Sequence, residues 1–277
     1  MTGFPLAPRP SLVSRRRFLC LAGAAAGLVV GPAMGPAPAG AGRASTDDEH
    51  RLRLRLPAAT SNGGRVPITV EAGHPMAPDH HVTTLTVVNP RDPVPLKGVF
   101  HFTPASGQAY VAFQARLDEG ASTVLAVAEC GRHGRFTAEA PVAIAPGAGG
   151  CAGVPPAPGA IEDEIRPPVI RIPRLVADGR VDAGEIVEVQ LKTRHPSRTG
   201  LVLRDGAFVR ETEPFHLRDL EVRYDEEPVC RFALSAALSD NPLIAFRLRA
   251  RRDGTIRVTL SNTRGQRFEA THRLRLG

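Results

Sequence analysis

The sequence predicts an all-β protein, built as two β-sandwich domains in tandem. Three observations carry that prediction. Helical periodicity is scarce beyond the N-terminal segment, and short alternating or β-branched runs replace it. Gly, Pro, Asn and Asp punctuate those runs at regular spacing. A stretch of almost pure Ala, Pro, Gly and Val at 145–160 then divides the runs into two sets.

In the first set, residues 65–71, 82–88, 99–102, 109–117, 123–130 and 135–144 read as strands. Arg51, Arg53 and Arg55 alternate with leucines, as the solvent face of a further strand would. In the second set the runs are 169–172, 185–193, 216–224, 229–234, 243–249, 255–261 and 267–276. About seven strands per set is the count of an immunoglobulin-like sandwich. The chain has no Trp, so the Cys…Trp…Cys pattern of antibody domains is absent. The halves also rhyme. His74-Pro75 follows the first strong strand of one half and His195-Pro196 that of the other, and Asn89-Pro90 is matched by Asn241-Pro242. A distant duplication follows, with the two sandwiches expected to pack sheet on sheet.

Residues 1–43 are read as an export signal, not as part of the fold. Ser14-Arg15-Arg16-Arg17-Phe18-Leu19 fits the twin-arginine pattern, and the apolar run 19–30 is too short to span a bilayer comfortably. Small residues near Ala39 and Ala41 offer a cleavage site. The expected location is the bacterial periplasm, an oxidising compartment. The signal also distorts the charge. The whole chain is +7, with 35 Lys+Arg against 28 Asp+Glu. Five of those arginines lie in 1–43, which leaves the mature chain near +2. With no basic cluster interleaved with aromatics, nucleic acid is not an expected partner. No membrane contact is expected once the signal is removed.

Of the four cysteines, Cys20 leaves with the signal, and Cys130, Cys151 and Cys230 remain. Cys130 and Cys230 read either as small core residues or as a disulfide pair. Cys151 is different. It sits in Gly149-Gly150-Cys151-Ala152-Gly153, a nearly side-chain-free backbone, and is expected to be the accessible thiol. No Lys, Arg or His lies within ten residues of it, so no local group activates it as a nucleophile. Glu162-Asp163-Glu164 reads as a solvated acidic patch. An extended chain from Ile144 would carry the sulfur at most about 23 Å. The sequence therefore describes an attachment point on an arm, with Gly149, Gly150 and Gly153 supplying its flexibility.

Catalytic sets are missing. There is no Gly-rich phosphate loop after a strand, no His-Glu-x-x-His and no Gly-x-Ser-x-Gly. His74, Met76 and His80 could suit copper. Against that, His80 and His81 are adjacent, so a strand would point them to opposite faces, and Pro75 and Pro78 suggest a polar loop. His101, His133 and His216 read as surface or satisfied strand residues. No metal and no cofactor are expected.

The chain resembles a fusion of SoxY and SoxZ, the two subunits of the sulfur-compound carrier of bacterial thiosulfate oxidation. The SoxY resemblance rests on Val66-Pro67-Ile68-Thr69-Val70, Asn89-Pro90, the run from Phe102 to Gly107, Val127-Ala128-Glu129 and Gly149 to Gly153. The SoxZ resemblance rests on the run from Gly184 to Glu188, His195-Pro196 with Thr199-Gly200, the run from Ala237 to Pro242, and Phe246. With the signal at 1–43, it implies a SoxY-like sandwich at 44–145, a flexible linker at 146–166 and a SoxZ-like sandwich at 167–277. It also implies a carrier that is not an enzyme and holds its sulfur cargo on Cys151 for periplasmic sulfur-oxidation enzymes. The cysteine motif ends the polypeptide in SoxY, whereas here it is internal, and its second glycine pair is Ala152-Gly153. Fused chains of this kind also resemble a subgroup associated with periplasmic quinoprotein (PQQ) dehydrogenases. The alternative reading is therefore an accessory of such a dehydrogenase and its cytochrome, with the thiol carrying another cargo or incidental.

Overall fold

A computed structural model describes residues 50–153 and 165–277. The expected signal at 1–43, and the part of the expected linker that includes Glu162 to Glu164, lie outside the described residues.

Period-two burial builds the strands. In β3 (Val66–Gly73), Val66, Ile68, Val70 and Ala72 point inward while Pro67 faces solvent. The first half contains β1 (Arg51–Arg55), β2 (Ala59–Thr60), β3, β4 (Val82–Val88), β5 (Leu96–Phe102), β6 (Tyr110–Ala115), β7 (Gly120–Cys130) and β8 (Gly134–Ile144). The second contains β9 (Arg166–Arg171), a short helix α1 (Pro173–Asp178), β10 (Ile186–Arg194), β11 (Leu201–Arg204), β12 (Ala207–Arg210), β13 (Leu217–Tyr224), β14 (Glu227–Leu234), β15 (Leu243–Arg249), β16 (Gly254–Asn262) and β17 (Arg267–Leu274). Every run read as a strand from the sequence falls on one of these. The sequence reading missed β2, α1 and the β11–β12 hairpin. That hairpin turns on Asp205-Gly206, both at positive φ (49° and 78°), a two-residue turn that the Asp-Gly pair signals.

The fold is all-β, with two sandwich halves. Its strands form a six-stranded sheet, β1-β3-β6-β15-β10-β9, a nine-stranded sheet, β17-β16-β13-β14-β5-β4-β7-β8-β2, and the separate β11–β12 hairpin. Both large sheets cross from one half to the other. β5 pairs antiparallel with β14, placing Phe100 opposite Phe232, and β6 pairs with β15 through Ala112 and Val111. The halves thus join edge to edge, not sheet on sheet. Each sandwich alone would leave these edges with unpaired N–H and C=O groups, and pairing them with each other satisfies both at once. Phenylalanines seal the join from within. Phe100 lies 5.0 Å from both Phe113 and Phe232, and Phe232 lies 6.3 Å from Phe246. One apolar core runs through both halves.

Cys130, Cys151 and Cys230 are all free and all buried, so the alternative of a Cys130–Cys230 bridge is not taken. Complete burial pushes the Cys230 thiol pKa well above its ordinary value. No helix among the described residues is long and apolar enough to cross a membrane.

Candidate functional site

After β8 the chain turns at Gly147 and runs back across the mouth of the first sandwich. Gly147 N donates to Glu119 Oε2 at 2.6 Å, and Ala148 N closes a turn onto Ala145 O at 3.0 Å. The segment then lies between two backbone stretches. Gly63 N donates to Ala148 O at 2.9 Å, and Gly150 N donates to Leu117 O at 2.8 Å. Leu117 N in turn donates to Gly63 O at 2.8 Å, which ties the two walls together. The contact is so close that side chains are excluded. A Cβ on Gly150 would stand 2.3 Å from Gly63 O, and one on Gly63 would stand 2.5 Å from Ala148 O. Gly150 is therefore required here for close approach, not for freedom of motion. A Cβ on Gly153 would meet nothing.

The second half completes the enclosure. Thr199 Oγ1 donates to Cys151 O at 2.6 Å, and Gly153 N donates to Leu201 O, at the start of β11, at 3.0 Å. Arg116 spans the join. Its guanidinium donates to Gly150 O (3.0 Å) and Ser197 O (2.9 Å), and it pairs with Asp240 at 2.7 Å. Asp240 also accepts from Ser197 N at 2.6 Å and pairs with Arg198 at 2.9 Å, so one carboxylate fixes both edges of the cradle.

Behind the cradle lies a buried ion pair. Lys97, fully buried in β5, meets Asp92 at 2.5 Å and donates to Arg116 O at 3.0 Å. Asp92 Oδ1 accepts from Asp118 N at 3.0 Å. Two opposite charges out of water persist only when paired and hydrogen-bonded. Here their remaining bonds hold the Arg116–Leu117–Asp118 backbone against which Gly150 docks.

The result for Cys151 is a shut thiol. It is 1% exposed. Burial pushes its pKa up to about 12, with Lys97 and Arg116 opposing and Asp92 and Asp118 adding to the rise. At neutral pH it is protonated and screened, and the thiolate is the reactive form. This corrects the expectation of an accessible thiol on a loose arm. The described part of the expected linker is held by Gly147 N on the Glu119 carboxylate and by backbone hydrogen bonds at Ala148, Gly150 and Gly153. The charged neighbours that sequence distance hid, Lys97, Asp92 and Arg116, reach Cys151 through the fold. The Gly63-Gly64 pair was the available signal for a second close-approach surface. Nothing local in the sequence signals Arg116 or Asp240.

The remaining candidates fall out as follows. His101 is exposed, with its Nδ1 3.2 Å from Thr84 Oγ1. His216 and His195 are buried, each with Nδ1 donating to a neighbouring carbonyl, of Leu217 and Pro196. Burial lowers the His195 pKa to about 4, with the Pro196 carbonyl opposing. Met76 joins the apolar core. His74 and His80 come together, joined by His133 and by His50.

Two family models match the chain: "Sulfur oxidation protein SoxY" over residues 39–151 and "Sulphur oxidation protein SoxZ" over residues 176–273. No curated protein matches the sequence. Among solved structures, a superoxide reductase (neelaredoxin) from Ignicoccus hospitalis is 17% identical, with a TM-score of 0.30, and the match covers 41% of this chain and 82% of that one. A β-glycosidase from Bacteroides vulgatus is 10% identical over 82% of this chain and 25% of its own, with a TM-score of 0.24. A Salmonella alpha-2-macroglobulin variant is 12% identical over 83% of this chain and 16% of its own, with a TM-score of 0.25. Likenesses this slight carry no argument.

Proposed function

We propose, from the premise that this chain belongs to the SoxY and SoxZ sulfur-oxidation families as a tandem fusion, that it is a periplasmic carrier holding a sulfur intermediate covalently on Cys151. The carrying observation is the cradle. The SoxY match ends on Cys151, and that residue is seated by a glycine-walled groove closed by Thr199 of the SoxZ half. A thiol with no catalytic partner, held on both halves at once, suits storage and presentation more than catalysis. The Arg15-Arg16-Arg17 signal supports periplasmic export.

Loading is a two-electron event. Joining the Cys151 thiol to the terminal sulfur of thiosulfate forms one S–S bond, releases one proton and releases two electrons. Those electrons go to a partner redox enzyme, and the carrier only holds the adduct. The cradle must open for that step, because a buried, protonated thiol does not react.

Intact mass of the protein isolated from its own periplasm, before and after reduction, tests this. A reducible adduct mapped to Cys151 is the expected result. Should Cys151→Ala leave sulfur oxidation intact while the folded domains are still required, the carrier reading fails. An accessory role beside a quinoprotein dehydrogenase then takes its place.

A further inference from the structure

At the other end of β7 from Cys151, four imidazoles converge. His50 precedes β1, His74 follows β3, His80 lies in the β3–β4 loop and His133 lies in the β7–β8 turn. One nitrogen from each lies within 4.8 Å of all the others. His133 Nδ1 faces both His50 Nε2 (2.8 Å) and His80 Nε2 (2.9 Å). Metal–imidazole bonds of about 2.0–2.1 Å separate ligand nitrogens by roughly 3–4 Å, and the separations here run from 2.8 Å to at most 4.8 Å, so small side-chain adjustments would bring all four onto one ion.

His74 supplies the observation that points to a ligand. Its Nδ1 donates to Pro75 O at 2.7 Å, so Nε2 carries a bare lone pair. That Nε2 is buried and has no partner. Second-half His195 makes the same Nδ1 bond to Pro196 O, but there Asn262 Nδ2 donates to Nε2 at 3.1 Å. In His74 the corresponding atom is left facing imidazoles. A backbone carbonyl on one ring nitrogen with the other nitrogen free is how ligating histidines are commonly oriented.

The loops are braced for the purpose. Ala77 and His80 exchange backbone hydrogen bonds at 3.0 and 3.1 Å, which presents His80 to the cluster, while His81 Nδ1 turns back to Ala77 O. The exclusion drawn from adjacent His80 and His81 fails because this segment is a tight turn, not a strand. Arg132 pairs with Asp79 and clamps the His133 turn onto the His80 loop. Phe136 stacks on His74 at 6.0 Å. Cys130, buried at the end of β7, holds its sulfur 3.8 Å from His133 Nδ1, within reach as a fifth donor.

We infer that His50, His74, His80 and His133, with Cys130 as a fifth ligand, form a binding site for one first-row transition-metal ion. Imidazole and thiolate donors without a carboxylate exclude magnesium and calcium. Five donors exceed the four of a structural zinc site, which places iron or copper ahead of zinc. β7 is eleven residues long, so the site lies about 30 Å from the Cys151 cradle and does not depend on the carrier function.

The test uses the full chain, chelator-stripped and titrated with Co(II) by absorbance. Binding should saturate at one equivalent, with a near-ultraviolet thiolate-to-metal band. Loss of a ligand should exceed the upper end of an outer-shell loss, so His74→Ala and exposed His133→Ala should each weaken binding at least about 100-fold. Cys130→Ser should remove the band, and Cys151→Ala should change nothing. Circular dichroism of the stripped variants confirms that they fold. Wild type binding no tighter than the His74→Ala/His133→Ala double variant overturns the site. Saturation without the band overturns Cys130 as a ligand. Metal content as isolated decides among iron, copper and zinc, and a zinc-only protein overturns the stated preference.

Discussion

The two ends of β7 are built on opposite plans. At the Gly120 end, backbone does the work. Amides and carbonyls of Gly63, Leu117, Ala148 and Gly150 interlock, and Cys151 is closed off from water. At the Cys130 end, side chains do the work. Imidazoles from three separate stretches meet, one buried nitrogen lacks a partner, and His133 stays exposed. The difference is between a thiol shut in by interlocking backbone and a set of side-chain donors left facing one another.

The largest expected effect comes from breaking the closed end. Gly150→Val drives side-chain atoms into Gly63, where even a Cβ comes within 2.3 Å of the carbonyl oxygen. Losing the docked conformation removes hydrogen bonds worth about 1 kcal/mol each. Iodoacetamide labelling of Cys151, followed by peptide mass mapping, should speed up on the order of a hundredfold, about 3 kcal/mol. An unchanged rate would mean that something else hides the thiol.

A pH series sharpens the same contrast. The docked thiol has its pKa raised to about 12, above the ordinary value of 9.0. The docked state therefore holds its proton more tightly, and docking is fully stable below about pH 9 and weakens as pH rises toward 12. Each unit above about pH 9 should favour release about tenfold. Wild-type labelling should keep climbing from pH 8 to beyond pH 10, while Gly150→Val levels off near the ordinary thiol value. Coincident profiles would sink the idea of a docked resting state.

Smaller is the effect of Thr199→Val, which deletes the donor to Cys151 O and so loosens the second half's grip. Labelling should rise about fivefold, the equivalent of one net hydrogen bond. In none of these variants should the histidine end change its metal stoichiometry.

Much of the fold was legible because period-two burial and turn residues are local signals. β4 lies at 82–88 in both the sequence reading and the structure. The edge-to-edge join was not legible, because Phe100 and Phe232 meet only through tertiary pairing. The same holds for the sites. Gly149 to Gly153 read from the sequence as a flexible arm, whereas at Gly150 small size serves contact. His74 and His80 were visible as a pair. His133 lies 53 residues from His80, and only the antiparallel run of β4, β7 and β8 brings them together.

The strand ladder that crosses the join also fixes how this molecule can move. Among the described residues, two halves that share both sheets have no hinge between them, and swinging one against the other would tear two hydrogen-bonded ladders and open the phenylalanine core. A partner meets a single stiff block. Under the proposed carrier function, delivery of the thiol is a peeling motion of a few residues at the mouth of the first sandwich, with the rest of the molecule acting as the handle.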